Sequence, residues 1–314
     1  MMSPMVRSLS VVVVALAPVV VALSAAQASL PRSGALLSCP APVPVDARID
    51  PAWSPSGKRL AFTRAKGRGE PSAIRILALR SGRSHPFAQG SEPAWSRTGS
   101  IAFVNLVRLP GEPKYPVCRW DQSDLFAANV RGGAPANLTN TSDASESGPA
   151  WSRDGSRLAF AKTSRTGSGL VTAKADGSDE RTLTRHTAGD DVYDSDPAWS
   201  PSGRKLLFVR MTTTDVGIWE IDADGANEHV LADRLGETAR SPDWSPDGRR
   251  IAFERGGWVY VMRSDGLQIR RLIPGGQPAW SPDGRRLALT RALAPGLVRI
   301  WVVALRGGKA RRLA

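Results

Sequence analysis

One motif recurs six times along this chain, and it limits the fold more than any other feature of the sequence. Each copy begins with Pro-x-Trp-Ser, continues through a turn that contains glycine, and ends in a short apolar segment, as in SPDWSPDGRRIAF at residues 241–253. Successive core tryptophans are 42, 56, 48, 45 and 36 residues apart. Spacing of about 40–45 residues is typical of chains built from repeated small β-sheets. The core tryptophans, which we predict to be structural, are Trp53, Trp95, Trp151, Trp199, Trp244 and Trp280.

The motif itself predicts a β-hairpin. Its proline suits the first residue of a strand, and the following Ser-Pro-x-Gly segment has the residues of a tight turn. Glycine supplies the positive φ that closes such a turn, and the apolar segment after it forms the return strand. Every copy keeps this glycine, and we predict a structural role for Gly57, Gly99, Gly155, Gly203, Gly248 and Gly284.

A second hairpin follows in each repeat. In the fourth copy, residues 217–222 alternate apolar and polar side chains, Asp224-Gly225 makes the turn, and residues 228–231 return. Asp-Gly and Gly-Gly favour the two-residue turns that match strand twist. Each repeat is therefore four antiparallel strands, which are too few to be stable alone. Six such units packed radially predict an all-β fold, a six-bladed β-propeller, whereas a β-sandwich does not explain the sixfold repetition.

The repeats resemble a known family. PAWSPDGRRLAL followed by IWVV and a Gly-Gly turn is similar to the WD-repeat-like propeller repeat of the TolB family. The resemblance covers residues 49–314 and implies a six-bladed propeller in a periplasmic protein that binds partners. TolB itself carries an α/β domain before its propeller, and about twenty residues precede the repeats here after the predicted signal. The resemblance therefore extends to the propeller and to binding, and not to a role in the Tol system.

The domain organisation follows from the repeats. We predict a signal peptide over residues 1–28, a proline-rich lead-in over 29–48 and the propeller over 49–314. We also expect ring closure without a blade shared between the two ends of the chain, so that residues 43–48 form no strand within the last blade. The predicted blades are residues 49–90, 91–146, 147–194, 195–239, 240–275 and 276–314.

The first residues have the features of an export signal. Arg7 precedes an apolar run from Val11 to Leu23, and Ala26-Gln-Ala28 offers a cleavage site. A retained membrane anchor is the alternative, although the run is short for a span. We therefore expect a periplasmic or secreted protein. An exported compartment permits a disulfide, and the two cysteines of the chain are Cys39 and Cys118.

The charge balance favours acidic partners. The net charge is +13, and removal of Arg7 with the signal leaves +12. Such a charge attracts nucleic acid, anionic lipid or polymer, or an acidic protein surface. Export and the lack of aromatic residues in the basic stretches argue against nucleic acid. We expect another envelope or extracellular protein, or an anionic ligand, to bind a monomer; an arginine-rich solvated surface is the alternative interpretation.

Loop lengths indicate which end of the propeller binds. Turns between first and second strands, and between third and fourth strands, are uniformly short, whereas the other connections vary, and binding residues are common on variable loops. We call the end that carries the variable connections the long-loop face. Residues 107–122 form the longest insertion, and Tyr115, Arg119 and Trp120 within it resemble the aromatic and arginine anchors of interfaces. The alternative is that Trp120 packs the insertion against the fold.

A column of cations ends on the same face. Arg64, Lys162, Arg210, Arg255 and Arg291 each lie eleven residues after a core tryptophan, and Asn105 takes this place in the second repeat. We predict a ring of positive charge at the channel mouth. Cross-strand ion pairs are the alternative. If the residue three before the tryptophan is the partner, Asp50 and Asp196 compensate Arg64 and Arg210, and Lys162, Arg255 and Arg291 stay unpaired.

The sequence favours a non-catalytic binding protein that has no cofactor. It lacks the Gly-x-Ser-x-Gly motif of the hydrolases that carry a propeller lid, and its three histidines have no metal-ligand spacing. The alternative function is a metal-dependent hydrolase or lactonase with its site at the channel mouth. Calcium held there by Asp50, Glu92 and Asp196 is one form of that alternative.

Overall fold

The computed structural model describes residues 46–66, 71–107, 122–233, 239–305 and 310–313. These ranges consist of strands, turns and irregular segments. They contain no helix, and so none that could cross a membrane. The predicted signal peptide, most of the lead-in, Cys39 and Cys118 lie outside the described residues.

Each repeat contributes four main strands that pair in antiparallel order. In every repeat the strand that carries the core tryptophan comes first, and the Ser-x-x-Gly turn connects it to the second strand. The first three repeats contain β1 (Asp46–Trp53), β2 (Arg59–Lys66), β3 (Ala73–Ala78), β4 (Ser84–Gln89), β5 (Ser91–Trp95), β6 (Ser100–Val107), β7 (Gln122–Asn129), β8 (Ala136–Asn137), β9 (Ala144–Trp151), β10 (Arg157–Ser164), β11 (Gly167–Lys174), β12 (Arg181–Thr182) and the additional short strand β13 (His186–Thr187).

The last three repeats follow the same plan, and the predicted four-stranded antiparallel organisation is confirmed. Hydrogen bonds join the described strands into five sheets, because the strands of the first and sixth repeats share one eight-stranded sheet. The third repeat forms a five-stranded sheet with β13, and the other three sheets have four strands each. The remaining strands are β14 (Tyr193–Trp199), β15 (Lys205–Met211), β16 (Val216–Asp222), β17 (His229–Ala232), β18 (Arg240–Trp244), β19 (Arg250–Arg255), β20 (Trp258–Arg263), β21 (Arg270–Pro274), β22 (Gly276–Trp280), β23 (Arg286–Ala294), β24 (Leu297–Ala304) and β25 (Ala310–Arg312).

The serine after each core tryptophan organises the first turn. In the fifth repeat the backbone N–H of Gly248 donates to the carbonyl of Ser245 at 2.8 Å, and the N–H of Arg250 donates to the Ser245 hydroxyl at 2.9 Å. The φ of Gly248 is +70°, as the turn requires. All six turn glycines have positive φ, which agrees with the role predicted for them.

The core lies between neighbouring repeats. Phe62, Phe103, Phe160, Phe208 and Phe253 on the second strands are all nearly inaccessible to solvent. The core tryptophans pack at the same interfaces, and the Trp53 indole N–H donates to the Ala279 carbonyl of the sixth repeat at 3.0 Å. Three of these tryptophans, Trp53, Trp244 and Trp280, are buried, and Trp95, Trp151 and Trp199 are partly exposed.

The prediction for ring closure is wrong in one respect. Asp46 and Ala47 pair in parallel with Leu297 and Val298 of β24, and the N–H of Asp46 donates to the Gly296 carbonyl at 2.9 Å. The start of β1 therefore hydrogen-bonds to the last repeat, beside the stretch of β24 that the short β25 leaves uncovered. The expected apolar packing is also present, because Trp53, Leu60 and Phe62 pack against Ala288 and Ile300.

Candidate binding site

A β-bulge in the first strand of every repeat sets the geometry of the channel end. The residue three before each core tryptophan has a positive φ, between +48° and +61°, although only one of the six is glycine. The pairing of the first with the second strand shifts at this point in all six repeats. A bulge adds one residue to one strand. As a result, the residue five before the tryptophan lies opposite the cation of the column, as Asp194 does opposite Arg210.

This bulge corrects the partners predicted for two arginines. Arg210 donates to both carboxylate oxygens of Asp194, at 2.7 and 2.8 Å, and not to Asp196. Arg64 contacts the carboxylate of Asp46 at 3.4 Å, and not Asp50. Both arginines are ion-paired as predicted, but the identity of each carboxylate was wrong.

The prediction that Lys162 is unpaired is also wrong. Its ammonium group lies 2.8 Å from a carboxylate oxygen of Glu180, and its Cα lies opposite that of Glu146. Lys162 is therefore compensated by acidic side chains on β9 and on the segment before β12. Three of the five cations of the column are thus held in ion pairs.

Arg210 lies within a buried polar network. Its side chain is 10% exposed, and the Asp194 side chain is completely inaccessible. Asp194 also accepts a hydrogen bond from the Thr184 hydroxyl at 2.6 Å and lies 2.8 Å from the Nε2 of His186. Arg210 further donates to Glu228 and stacks on the ring of Trp219, 4.5 Å from its centroid. Burial alone lowers the pKa of this arginine, but its hydrogen bonds to the two carboxylates produce a net rise. We therefore interpret this network as structural.

Arg255 and Arg291 differ from the other three cations. Neither has a carboxylate partner among the residues that the structure describes. The Arg255 guanidinium lies 5.9 Å from the ring centroid of Tyr260, and that of Arg291 lies 4.8 Å from the ring centroid of Trp301. Stacking on an aromatic face orients an arginine and leaves its N–H donors free. These two residues can therefore bind an anion.

The bulge residues meet one another across repeats. The Glu92 carboxylate accepts a hydrogen bond from the N–H of Gly148 at 2.7 Å, and Asp196 accepts one from the N–H of Ser241 at 3.0 Å. Each acceptor belongs to one repeat, and each donor belongs to the next. Glu254 takes the place of the short Ser241 side chain and accepts a hydrogen bond from the N–H of Gln277 at 3.0 Å.

The same chain of contacts continues through the last repeat. The side-chain Oε1 of Gln277 accepts a hydrogen bond from the N–H of Asp50 at 3.2 Å, and its Nε2 donates to the Asp50 carboxylate. We call Asp50, Glu92, Asp196 and Glu254 the central carboxylates. The centre of the structure is therefore lined with acidic groups.

Burial raises the pKa of all four central carboxylates. It is the largest cause in each case, and it brings the pKa of Asp50 to about 6 and that of Glu92 to about 7. Mutual repulsion adds to the effect, since Asp50 and Asp196 both raise the pKa of Glu92. Hydrogen bonds from backbone N–H groups act in the opposite direction and limit the rise.

The central carboxylates bind backbone groups and do not converge on a metal position. In the described ranges, no set of three or more His, Cys, Asp or Glu side chains is arranged to hold an ion. Asp50, Glu92 and Asp196, the residues of the calcium alternative, occupy the bulge position of their repeats. The predicted contact residues Tyr115, Arg119 and Trp120 lie outside the described residues.

Several residues at this end were missed by sequence reasoning. Asp194 and Glu146 lie five residues before a core tryptophan, and Arg48 occupies the same position in the first repeat. The available signal was that the residue three before the tryptophan varies among Asp, Glu, Gly, Ser and Gln. Such variation does not suit a cross-strand ion pair repeated in every copy, and counting with a bulge would have identified Asp194 opposite Arg210 and Glu146 opposite Lys162.

Comparisons with known proteins agree with this architecture. A family model described as the TolB beta propeller domain matches residues 45–273. No curated protein sequence matches the chain. The structure of a putative TolB from Agrobacterium tumefaciens superposes with a TM-score of 0.62 at 20% identity, covering 78% of this chain and 88% of that one.

Two further solved structures extend the comparison. TolB from Acinetobacter baumannii gives a TM-score of 0.59 at 18% identity, over 75% of this chain and 57% of that one. An oligogalacturonate lyase in complex with manganese gives 0.56 at 14% identity, over 82% and 77%. At these identities the likeness shows a shared fold, which occurs in proteins of different function. Because the family model matches most of the chain, this protein belongs to the TolB β-propeller domain family.

Proposed function

We propose that this protein is an exported, non-catalytic binding propeller. Its long-loop face binds an anionic group, which we assign to an acidic segment of another envelope protein. The observation that supports this most is the pair Arg255 and Arg291. Arg255 is the last residue of β19, and Arg291 lies within β23 of the next repeat. Both are oriented by aromatic rings without a carboxylate partner in the described ranges.

The six repeats are the basis for a six-bladed ring. This count treats the eight-stranded sheet as two blades, joined by the hydrogen bonds between Asp46-Ala47 and Leu297-Val298. Contacts between first strands run from each repeat to the next and from the sixth back to the first, which agrees with a closed ring. In such a ring Arg255 and Arg291 lie side by side, and one acidic segment can contact both.

Arginine chemistry favours a carboxylate-bearing partner. A guanidinium group can donate two parallel hydrogen bonds to one carboxylate, and stacking fixes its plane in advance. Side chains already held in ion pairs, such as Arg64, Lys162 and Arg210, instead shape the surroundings of the site. Because the side chains of Arg255 and Arg291 are partly exposed, binding should weaken as salt rises.

The test is the double variant Arg255→Ala with Arg291→Ala. Its binding to fluorescent polyglutamate and to proteins of an envelope extract is measured at low and high salt. The matched control is Arg249→Ala with Arg285→Ala, which removes two exposed arginines from the same repeats at the opposite, tight-turn end. Lost binding in the first variant alone, with an unchanged melting temperature, supports the proposal. Binding retained by the first variant at every salt concentration contradicts it.

A metal-dependent hydrolase or lactonase is the alternative function. Metal analysis of the purified protein separates the two, because the binding proposal requires no metal ion. A stoichiometric metal whose removal abolishes polyglutamate binding would contradict the binding proposal as stated.

A further inference from the structure

Three arginines share one carboxylate where the first repeat meets the sixth. Arg299 donates to the Asp46 carboxylate at 2.7 Å and to the Asp46 carbonyl at 2.7 Å, and Arg64 lies 3.4 Å from the same carboxylate. Arg48 also interacts electrostatically with this carboxylate, and Arg75 interacts electrostatically with Arg48. We call these four arginines and Asp46 the seam cluster. Its charge is four positive less one negative, or +3.

Arg48 is the unusual member of the seam cluster. Its Cα lies directly opposite that of Arg64 on the neighbouring strand, and like charges in this arrangement repel. Its Nε is buried and has no hydrogen-bond partner among the described residues. Burial and the neighbouring Arg299 hold the pKa of Arg48 below its ordinary value. In the fourth repeat the equivalent position holds Asp194, which compensates Arg210.

The other members of the seam cluster use their donors differently. Arg75 donates to the hydroxyl and the carbonyl of Ser84, at 3.2 and 2.9 Å, which fixes its position on β3. The side chains of Arg64 and Asp46 are 34% and 37% exposed, and that of Arg299 is 15% exposed. The cluster is thus accessible from solvent on one side and anchored to two repeats on the other.

We propose that the seam cluster binds an oxyanion with two negative charges, a phosphate or a phosphate monoester. A dianion offsets most of the excess charge, and its oxygens accept the parallel hydrogen bonds that guanidinium groups donate. Arg48 supplies the Nε donor that has no partner among the described residues, and Arg64 supplies the exposed edge of the site. The site goes beyond the proposed function, because it uses neither Arg255 nor Arg291.

A bound dianion has a second consequence at this place. Asp46 is also the residue whose backbone joins the first repeat to the sixth. An anion that reduces repulsion among Arg48, Arg64 and Arg299 therefore stabilises the contact that closes the ring. Binding should appear as a rise in melting temperature, because a ligand that binds only the folded state stabilises it.

The experiment measures inorganic phosphate binding by calorimetry and by melting temperature, against sodium chloride at equal ionic strength. We expect phosphate to raise the melting temperature of the full chain more than chloride does. Arg48→Met should weaken phosphate binding by about tenfold or more, the loss expected from one charge-assisted hydrogen bond. Without phosphate, the same variant should melt at a higher temperature than the wild type, because the repulsion from Arg64 is removed. The charge-matched control is Arg59→Met, an exposed residue of β2 outside the cluster.

Other outcomes overturn the proposal. Wild-type affinity for phosphate in Arg48→Met, or equal protection by phosphate and chloride, means that the cluster is no oxyanion site. If Arg48→Met does not fold, Asp46→Asn provides the test. Loss of the carboxylate of the seam cluster should tighten phosphate binding, and weaker phosphate binding contradicts the site. Binding to vesicles that contain phosphatidic acid, measured beside the binding of inorganic phosphate, distinguishes a lipid headgroup from free phosphate as the ligand. Polyglutamate binding, measured on the same variants, should be unchanged by Arg48→Met, which separates this site from the proposed function.

Discussion

The first and fourth repeats place different charges at the same two positions. In the fourth repeat Asp194 lies opposite Arg210, and the pair is buried. In the first repeat Arg48 lies opposite Arg64, and their only nearby carboxylate among the described residues, Asp46, is more than a third exposed. The backbone geometry is shared, so the difference lies in the side chains alone. One scaffold position can thus stabilise the fold or concentrate charge for a ligand.

The two regions also divide the long-loop face. The third and fourth repeats carry cations that are paired with carboxylates, namely Lys162 and Arg210. The fifth, sixth and first repeats carry arginines with an incomplete complement of acidic partners in the described ranges. Anionic partners should therefore approach the face from the side of the fifth, sixth and first repeats.

The largest expected effect comes from breaking the buried pair of the fourth repeat. Asp194→Ala leaves Arg210 buried without its two-point partner and also removes the acceptor of Thr184. We expect a loss of about 3–5 kcal/mol in the free energy of unfolding, as for other broken buried ion pairs. Urea unfolding measures it.

The comparison with the first repeat supplies the control. Asp46→Ala removes an exposed carboxylate that solvent already screens, and we expect a loss of about 1 kcal/mol or less. Equal losses in the two variants would mean that burial does not separate the two repeats.

The second expected effect is a pH dependence of stability, which arises from the central carboxylates. Because the pKa values of Asp50 and Glu92 are raised to about 6 and about 7, the folded protein retains protons between about pH 4 and pH 7 that the unfolded chain has released. Stability from these groups is therefore present at low pH and is lost as the pH rises through the folded pKa. We expect the free energy of unfolding to fall by about 2–5 kcal/mol between about pH 5 and pH 8.

A double variant isolates the central contribution. Asp50→Asn with Glu92→Gln keeps the hydrogen-bonding shape and cannot ionise, so its stability should vary less with pH than that of the wild type. Glu146 and Asp243 also have pKa values raised to about 7 by burial, and some slope should therefore remain. An unchanged slope in the double variant would place the pH dependence outside the centre.

The sequence contains most of the information that determines the fold. The proline, tryptophan, serine and turn glycine of each copy act within about ten residues, and local chemistry of this kind can be predicted from one chain. The hydrogen bond of Asp46 with Gly296 could not be predicted in this way, because it joins residues 250 positions apart. Closure depends on how far the last strand extends, and no local pattern determines that.

The candidate site was predicted less completely, and a single backbone feature explains why. The five cations of the column were identified in the sequence, but the bulge at Asp50, Asp196 and their equivalents, which decides what lies opposite each of them, was not anticipated. The bulge position leaves no clear pattern in the sequence, because aspartate, glutamate, serine and glutamine all occupy it at positive φ in different repeats. The assignment of Glu180 to Lys162 depends in turn on a loop contact that strand register alone does not determine.

The smallest expected effect tests whether the paired cations can be converted into binding cations. Glu180→Gln removes the carboxylate that lies 2.8 Å from the ammonium group of Lys162. Both side chains are partly exposed, so the free energy of unfolding should change by about 0.5 kcal/mol or less. The freed ammonium group then adds to the positive potential of the face, and polyglutamate binding at low salt should tighten about twofold, the equivalent of a few tenths of a kcal/mol. Arg157, which pairs with the adjacent Asp179 at the other end of its strand, supplies the control: Asp179→Asn should leave polyglutamate binding unchanged. A gain in affinity from Asp179→Asn as large as that from Glu180→Gln would mean that overall charge, and not the position of Lys162 on the face, governs the binding of anions.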